Sequence, residues 1–196
     1  MTADQAVLRA LEAVVAALRE TGAPAMIVGG IAVIARGVPR QTVDIDATVW
    51  AEDLTPERVL ALLERREIVS RIADPVAFAR ERQVLLLRHI PSGTPLEVIL
   101  ASLPFEREAL SRATPVDFKG VIVPVATAED LIIYKAVAWR PRDQGDIERL
   151  LVIHGHMLDL ERVRRIVGDF ADALEEPERI EAFDAILERA LGKEER

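Results

Sequence analysis

The sequence contains no cysteine and no asparagine, only three lysines, and only 4% aromatic residues among its 196 positions. The lack of cysteine excludes a disulfide framework, a cysteine-ligated zinc site and a cysteine nucleophile. Basic residues are also scarce relative to acidic ones, 25 against 33, which gives a net charge of −8. This charge excludes a protein that coats nucleic acid with a globally basic surface, although it is compatible with a local basic groove.

The sequence also lacks the patterns of targeting and membrane segments. Its amino terminus has no basic cluster ahead of an apolar run, so it does not resemble a secretory signal. The longest nearly uncharged stretch around the glycine pair, residues 23–35, is far shorter than the roughly 20 residues that a membrane helix needs. These features predict a cytoplasmic protein that does not enter a membrane. A hydrophobic content of 50% predicts a substantial folded core.

Hydrophobic periodicity divides the chain into an α/β part and a helical part. The α/β part is predicted to contain helices at 6–21 and 55–66, a short helix that ends at Gly37, and strands at 25–28, 38–50, 83–90, 95–100 and 120–125. The helical part is predicted to contain helices at 127–140, 143–154, 159–174 and 177–191. We therefore expect an α/β (α+β) core over residues 1–126, with a mixed sheet flanked by helices. Residues 127–196 are expected to form a helical region packed on that core.

Acidic and apolar residues alternate in the predicted strand at 38–50. Because successive side chains of a strand point to opposite faces, Asp44 and Asp46 would share one face with Arg40 and Thr42. One interpretation is a half-buried strand whose polar face meets water. The other is that the two aspartates, about 7 Å apart along the strand, hold a divalent metal ion, since hard cations prefer carboxylate oxygens.

Two further features favour the second interpretation. Gly29 and Gly30 lie between a predicted strand and a short helix, where glycines let a phosphate approach the backbone N–H groups. Taken alone, the pair favours the alternative of a tight packing turn. Glu97 lies inside the apolar strand at 95–100, where an unpaired buried charge is costly. Its carboxylate therefore faces either solvent or a cation, and the nearby acidic strand favours a cation.

Three motifs thus follow one another along the chain: Gly29-Gly30, then Arg40-x-Thr42-x-Asp44-x-Asp46, then Glu97. This pattern resembles the nucleotidyltransferase superfamily that includes DNA polymerase beta. It most resembles the small AbiEii-like abortive-infection nucleotidyltransferases of toxin–antitoxin systems. The segment 129–147 also resembles their helix pair with an acid-Leu, Lys, Arg, Arg-Asp and Asp-Ile motif. Two positions depart from the family: Glu97 replaces a more common aspartate, and Gly30 replaces the serine of some members.

The resemblance implies a role for each motif residue. Asp44 and Asp46 would hold one or two Mg²⁺ ions, with Mn²⁺ as the alternative, and Glu97 would complete the second metal site or act as a base. The residues implied to contact the nucleotide and its phosphates are Gly29, Gly30, Arg40, Thr42 and Lys135. For Lys135, the alternative is a side chain whose stem packs on the helix while its ammonium lies in water.

The implied activity is a metal-dependent enzyme that moves a nucleoside monophosphate from a nucleoside triphosphate such as ATP to a hydroxyl acceptor. The acceptor would be a tRNA 3′ end or a protein side chain, in a toxin–antitoxin or phage-defence system with a cognate toxin or antitoxin as partner. One alternative is a catalytically inactive, nucleotidyltransferase-like antitoxin or nucleotide-sensing protein. Another is a small-molecule nucleotidyltransferase such as an aminoglycoside-modifying enzyme.

Overall fold

Residues 2–192 are described by a computed structural model, in which the chain divides into two units. The first unit comprises the residues up to Ala35 together with Arg40–Ala126. The second comprises Arg36–Pro39 and the residues from Thr127 onward. All strands of the described chain belong to the first unit, and the second is helical.

The first unit contains twelve elements within the described residues. In chain order they are α1 (Ala3–Glu20), β1 (Ala25–Val28), α2 (Gly29–Ala35), β2 (Ile45–Trp50), α3 (Pro56–Glu64), β3 (Ile68–Ser70), α4 (Pro75–Arg82), β4 (Val84–His89), β5 (Pro95–Ala101), α5 (Pro104–Arg112), β6 (Thr114–Phe118) and β7 (Val121–Val125). Helix α3 begins as the sequence predicts: the Thr55 side chain accepts a hydrogen bond from Arg58 N, and Pro56 occupies the first helical turn, where its missing N–H costs nothing.

The strands form one seven-stranded sheet among the described residues, in the order β3-β4-β5-β2-β1-β7-β6. The β2–β5 and β1–β7 pairs are parallel, and the other neighbours are antiparallel. The sheet places β2 near its centre, where Ile45, Ala47 and Val49 are fully buried on one face. The predicted mixed sheet is confirmed, and its strands β4 and β5 pair as an antiparallel hairpin.

The predicted strand at 38–50 is wrong in its first half, because β2 begins only at Ile45. The reason is the length of its neighbours. Strand β1 pairs Val28 with Asp46 and then turns into α2 at Gly29, while β5 pairs Leu96 with Ile45. In the described sheet, the residues before Ile45 therefore have no adjacent strand to complete a hydrogen-bonded ladder. Side-chain alternation alone does not detect that a partner strand has ended.

Hydrophobic periodicity did not predict four short elements, namely β3, α4, α5 and β6. They are three to nine residues long, which is too short for hydrophobic periodicity to stand out. Two of them carried another signal. Pro75 and Pro104 lie in the first turns of α4 and α5, as Pro56 does in α3.

The second unit contains four α-helices in its described part, namely α6 (Ala128–Ala138), α7 (Pro141–His154), α8 (Leu160–Ala173) and α9 (Glu178–Leu191). Helix α6 contacts α7 and α8, and α9 contacts the same two helices. Thr127 begins α6 by accepting a hydrogen bond from Asp130 N at 3.2 Å. The predicted helical C-terminal part is confirmed. Within residues 2–192, no helix is both long enough and apolar enough to cross a membrane.

Candidate active site

The turn between β1 and α2 fits tightly against the acidic strand. Gly29 has a φ of 61°, in the left-handed region that glycine adopts without steric cost. A Cβ atom at this position would lie within 3.0 Å of three atoms of the Asp46 side chain. Gly29 is therefore required for two reasons, its backbone conformation and the close approach of the Asp46 carboxylate.

Gly30 makes room for the segment that precedes β2. A Cβ atom at Gly30 would overlap Thr42 Oγ1 and would lie 3.1 Å from Arg40 Nη2. The Thr42 hydroxyl donates a hydrogen bond of 2.6 Å to Asp44 Oδ1, which fixes the position of that carboxylate. The side chains of Arg40, Thr42 and Asp44 thus lie beside the glycine turn even though the strand predicted to align them does not form there.

The second and third predicted acids come together through the pairing of two strands. Asp46 on β2 and Glu97 on β5 are register partners in a parallel pair, so their side chains project from the same face of the sheet at adjacent positions. Both residues are half-buried. Two carboxylates side by side repel each other unless a cation lies near them.

A cation does lie near Glu97, and the sequence did not single it out. Arg71 Nη2 is 3.5 Å from Glu97 Oε1. Arg71 directly follows β3, in a segment for which the sequence map predicted no regular structure. Its backbone N–H donates a 2.9 Å hydrogen bond to Leu86 O on β4. The only local signal was a basic residue after two β-branched residues and a serine, Ile68-Val69-Ser70, and that signal is weak.

The donor chemistry of the site suits a hard divalent cation. Asp46 and Glu97 offer carboxylate oxygens from adjacent register positions, and Asp44 offers a third carboxylate close to the same turn. Among residues 2–192, however, no three His, Cys, Asp or Glu side chains are grouped closely enough to hold one metal ion. Asp44, Asp46 and Glu97 are the residues that would hold Mg²⁺, and the metal site stays a prediction.

Lys135 lies on α6, in the second unit, whereas the three predicted site acids belong to the first unit. Its Nζ atom is 3.0 Å from Asp143 Oδ1 and 2.8 Å from Asp146 Oδ2, and all three residues are buried. Asp143 Oδ2 also accepts a hydrogen bond from Arg140 N, which caps the start of α7. The ammonium therefore joins α6 to α7 rather than extending into water, and its predicted contact with phosphate stays a prediction.

The first unit thus brings seven of the eight predicted site residues together. They are Gly29, Gly30, Arg40, Thr42, Asp44, Asp46 and Glu97. Lys135 belongs to the second unit. The predicted contacts of all eight with a nucleotide or metal stay predictions.

Comparison with models of protein families gives a match along most of the sequence. The profile of a family described as "Nucleotidyltransferase of unknown function (DUF6036)" matches residues 6–189. This match confirms the superfamily resemblance that the three motifs predicted. No curated protein matches the sequence significantly.

Two solved structures of one antibiotic-resistance factor, ANT(2'')-Ia, share the fold. Its solution structure is 20% identical in sequence, with a TM-score of 0.58, covering 93% of this chain and 100% of that one. The crystal structure of ANT(2'')-Ia in complex with adenylyl-2''-tobramycin is 21% identical, with a TM-score of 0.55, covering 87% of this chain and 99% of that one. At these identities the likeness shows a nucleotidyltransferase-like fold.

Proposed function

The chain belongs to the DUF6036 family of nucleotidyltransferases, and we propose that it transfers a nucleoside monophosphate from a nucleoside triphosphate to an acceptor hydroxyl. The observation that carries the proposal is the register pairing of Asp46 with Glu97 beside the Gly29 turn. Carboxylates at adjacent positions next to a glycine turn are suited to a triphosphate that arrives with divalent cations.

In the proposed reaction, the acceptor oxygen forms a bond to the α-phosphorus of the nucleotide, and the bond from that phosphorus to the bridging oxygen of the β-phosphate breaks. Pyrophosphate leaves with the bonding electron pair. Mg²⁺, or Mn²⁺ in its place, would neutralise the charge that develops on the phosphate oxygens. The acceptor hydroxyl loses its proton, which a carboxylate within reach can accept.

The residues of the first unit have separate tasks in this proposal. Asp44 and Asp46 would bind the cation, and the hydrogen bond from Thr42 holds Asp44 in place beforehand. Glu97 would either complete a second metal site or accept the proton of the acceptor hydroxyl. Gly29 keeps the backbone close to Asp46, so a phosphate held by this carboxylate's cation would also lie near the β1–α2 turn.

Three classes of acceptor are compatible with this chemistry. A tRNA 3′ end or a protein side chain would place the enzyme in a toxin–antitoxin or phage-defence system, with a cognate toxin or antitoxin as partner. A small molecule such as the aminoglycoside tobramycin is the third, since ANT(2'')-Ia was crystallised with adenylyl-2''-tobramycin. The net charge of −8 favours a compact or cationic acceptor over one that needs a broad RNA-binding surface.

The deciding experiment incubates the protein with each of the four α-³²P-labelled nucleoside triphosphates and Mg²⁺ or Mn²⁺. Separate reactions contain total tRNA, cell-lysate protein or tobramycin, so that the labelled product identifies the acceptor. Asp46→Asn should lose the transfer, and so should the wild-type protein in EDTA. Asp53→Asn is the matched control, because it removes the same charge from an exposed turn of the same unit.

Label that moves into no pool, under any nucleotide and either metal, would contradict the catalytic proposal. It would leave the inactive alternative, an antitoxin or nucleotide sensor with a nucleotidyltransferase-like fold. Equilibrium binding of nucleotide without transfer would then support a sensor. Transfer that survives Asp46→Asn would place the activity elsewhere on the protein or in a contaminant.

A further inference from the structure

Leu86 on β4, Glu97 on β5 and Asp46 on β2 form a row across the sheet, and Arg71, directly after β3, continues this row. The Arg71 N–H donates to Leu86 O, Leu86 is the register partner of Glu97, and Glu97 is the register partner of Asp46. The pairing of Ser70 with Leu87 places Arg71 next in the same register. Residues that share a row share a face of the sheet, so the Arg71 side chain lies on the same face as the two acids.

The anchoring of Arg71 extends to the residues on either side of it. The Ser70 hydroxyl donates to Ile72 O at 2.8 Å and accepts from Ile72 N at 3.0 Å. With its own N–H held by Leu86, the Arg71 backbone is fixed on both sides while its long side chain keeps its freedom. An arginine with a fixed backbone and a flexible side chain can move its guanidinium from one binding partner to another.

The ion pair of Arg71 with Glu97 is open to exchange. The two atoms are 3.5 Å apart, and the side chains are 31% and 44% exposed. Ion pairs with this exposure contribute only a little to stability, because water solvates both charges. The guanidinium also makes a single contact with Glu97, although its planar fork is suited to two-point binding of a carboxylate or phosphate.

We propose that Arg71 is a phosphate-binding residue, whose guanidinium pairs with Glu97 in the free protein and binds the triphosphate of the nucleotide when a divalent cation is held by the carboxylates. The reason is electrostatic. A divalent cation between Asp46 and Glu97 takes over the neutralisation of these acids and repels the guanidinium, while the triphosphate offers it new oxygens. This inference rests on the proposed function.

The alternative is that Arg71 only neutralises Glu97. The two roles predict different results when the charge is removed. If Arg71 only neutralises Glu97, its loss helps the carboxylates bind a cation and leaves triphosphate binding unchanged. If Arg71 binds phosphate, its loss helps cation binding and weakens triphosphate binding. The proposal therefore predicts that a variant without the Arg71 charge binds the cation more tightly and triphosphate more weakly.

The experiment measures two binding equilibria by isothermal titration calorimetry on the full chain. The first uses Mn²⁺ alone. The second uses inorganic triphosphate in the presence of Mn²⁺, which presents the phosphates common to all four nucleotides. The variants are Arg71→Gln, which removes the charge, and Arg71→Lys, which keeps it. Arg80→Gln is the matched control, because Arg80 forms an exposed 2.5 Å pair with Glu57 in the same unit.

For Arg71→Gln, we expect Mn²⁺ to bind about twofold to fivefold more tightly, as the loss of an exposed pair allows. We expect triphosphate to bind about tenfold more weakly, as the loss of a charged hydrogen bond requires. Arg71→Lys should retain part of the triphosphate affinity, and Arg80→Gln should match the wild type in both titrations. Circular dichroism spectra of all variants establish that they are folded.

Triphosphate affinity that is unchanged in Arg71→Gln would overturn the phosphate-binding role while leaving the proposed function intact. Mn²⁺ affinity that is unchanged or weaker in this variant would overturn the exchange between Glu97 and phosphate. A wild-type protein that binds no triphosphate would overturn both this inference and the proposed function. The wild-type titration with triphosphate therefore shows whether only this inference fails or the proposed function fails as well.

Discussion

Replacing Gly29 with alanine tests the geometry of the candidate site directly. The φ of 61° at this residue costs a side-chain-bearing residue about 1–2 kcal/mol. The added methyl group would also lie within 3.0 Å of the Oδ2, Cγ and Cβ atoms of Asp46, and relieving such an overlap costs about 1–3 kcal/mol. We therefore expect Gly29→Ala to lower the free energy of unfolding by about 2–5 kcal/mol, a large part of a typical domain's stability.

A matched control separates the two contributions to this cost. Gly22 also has a positive φ, 75°, but a Cβ atom there would meet nothing within 4 Å. Gly22→Ala should therefore lower the free energy of unfolding only by the cost of the backbone conformation, about 1–2 kcal/mol. The difference between the two variants in urea denaturation then measures the overlap with Asp46.

A double-mutant cycle with Asp46→Gly identifies the clashing partner. If the overlap is with the Asp46 side chain, Gly29→Ala should cost less in the Asp46→Gly background than in the wild type, by at least about 1 kcal/mol. Gly29→Ala that costs no more than Gly22→Ala, or a cycle without coupling, would refute the close packing of the turn on the acidic strand. Weaker Mn²⁺ binding in Gly29→Ala would show that the contact of Gly29 with Asp46 also positions the Asp46 carboxylate.

Three other predictions address the remaining charged groups. Asp46→Asn should lower nucleotidyl transfer at least about a hundredfold, because an amide binds a hard cation more weakly than a carboxylate; a loss below tenfold in the labelling assay would contradict its role. Lys135→Met should lower the free energy of unfolding by about 3 kcal/mol, because two buried aspartates lose the ammonium they share. Lys119→Met breaks only an exposed pair and should cost less than about 1 kcal/mol; equal costs in urea titrations would refute the difference. Burial, together with the positive charge of Arg9, lowers the pKa of His89 from its ordinary 6.5, so folding favours the neutral ring. The free energy of unfolding should then fall as the pH drops below about 6.5 and through the lower pKa of the folded state. His89→Gln should flatten this dependence in urea titrations from pH 7 to pH 5, and an unchanged slope would show that another group is responsible.

The sequence predicted the long helices well because their signals are local. In α6, Thr127 caps the helix and apolar residues follow at helical spacing, and both features lie within a dozen residues. The glycine turn and the acidic motif were visible for the same reason. Their combination led to the superfamily, which the family match confirms.

The sequence did not show which strand pairs with which, and the candidate site depends on that pairing. Asp46 and Glu97 are 51 positions apart, and only the parallel alignment of β2 with β5 makes them neighbours. Likewise, the buried ion pairs of Lys135 with Asp143 and Asp146 form only because α7 returns along α6. Long-range pairing reflects packing over the whole core, which no local window contains.

What the sequence determined by itself is therefore the chemistry: a cysteine-free, acidic chain with a glycine turn, two alternating aspartates and a later glutamate. The tertiary structure decided the arrangement of that chemistry. It made β2 begin at Ile45, because the neighbouring strands leave no partner for the residues before it, and it placed Arg71 beside Glu97 through the β3–β4 pairing. The physical reason is that residue types fix what a side chain can bind, whereas sheet register fixes which side chains can bind together.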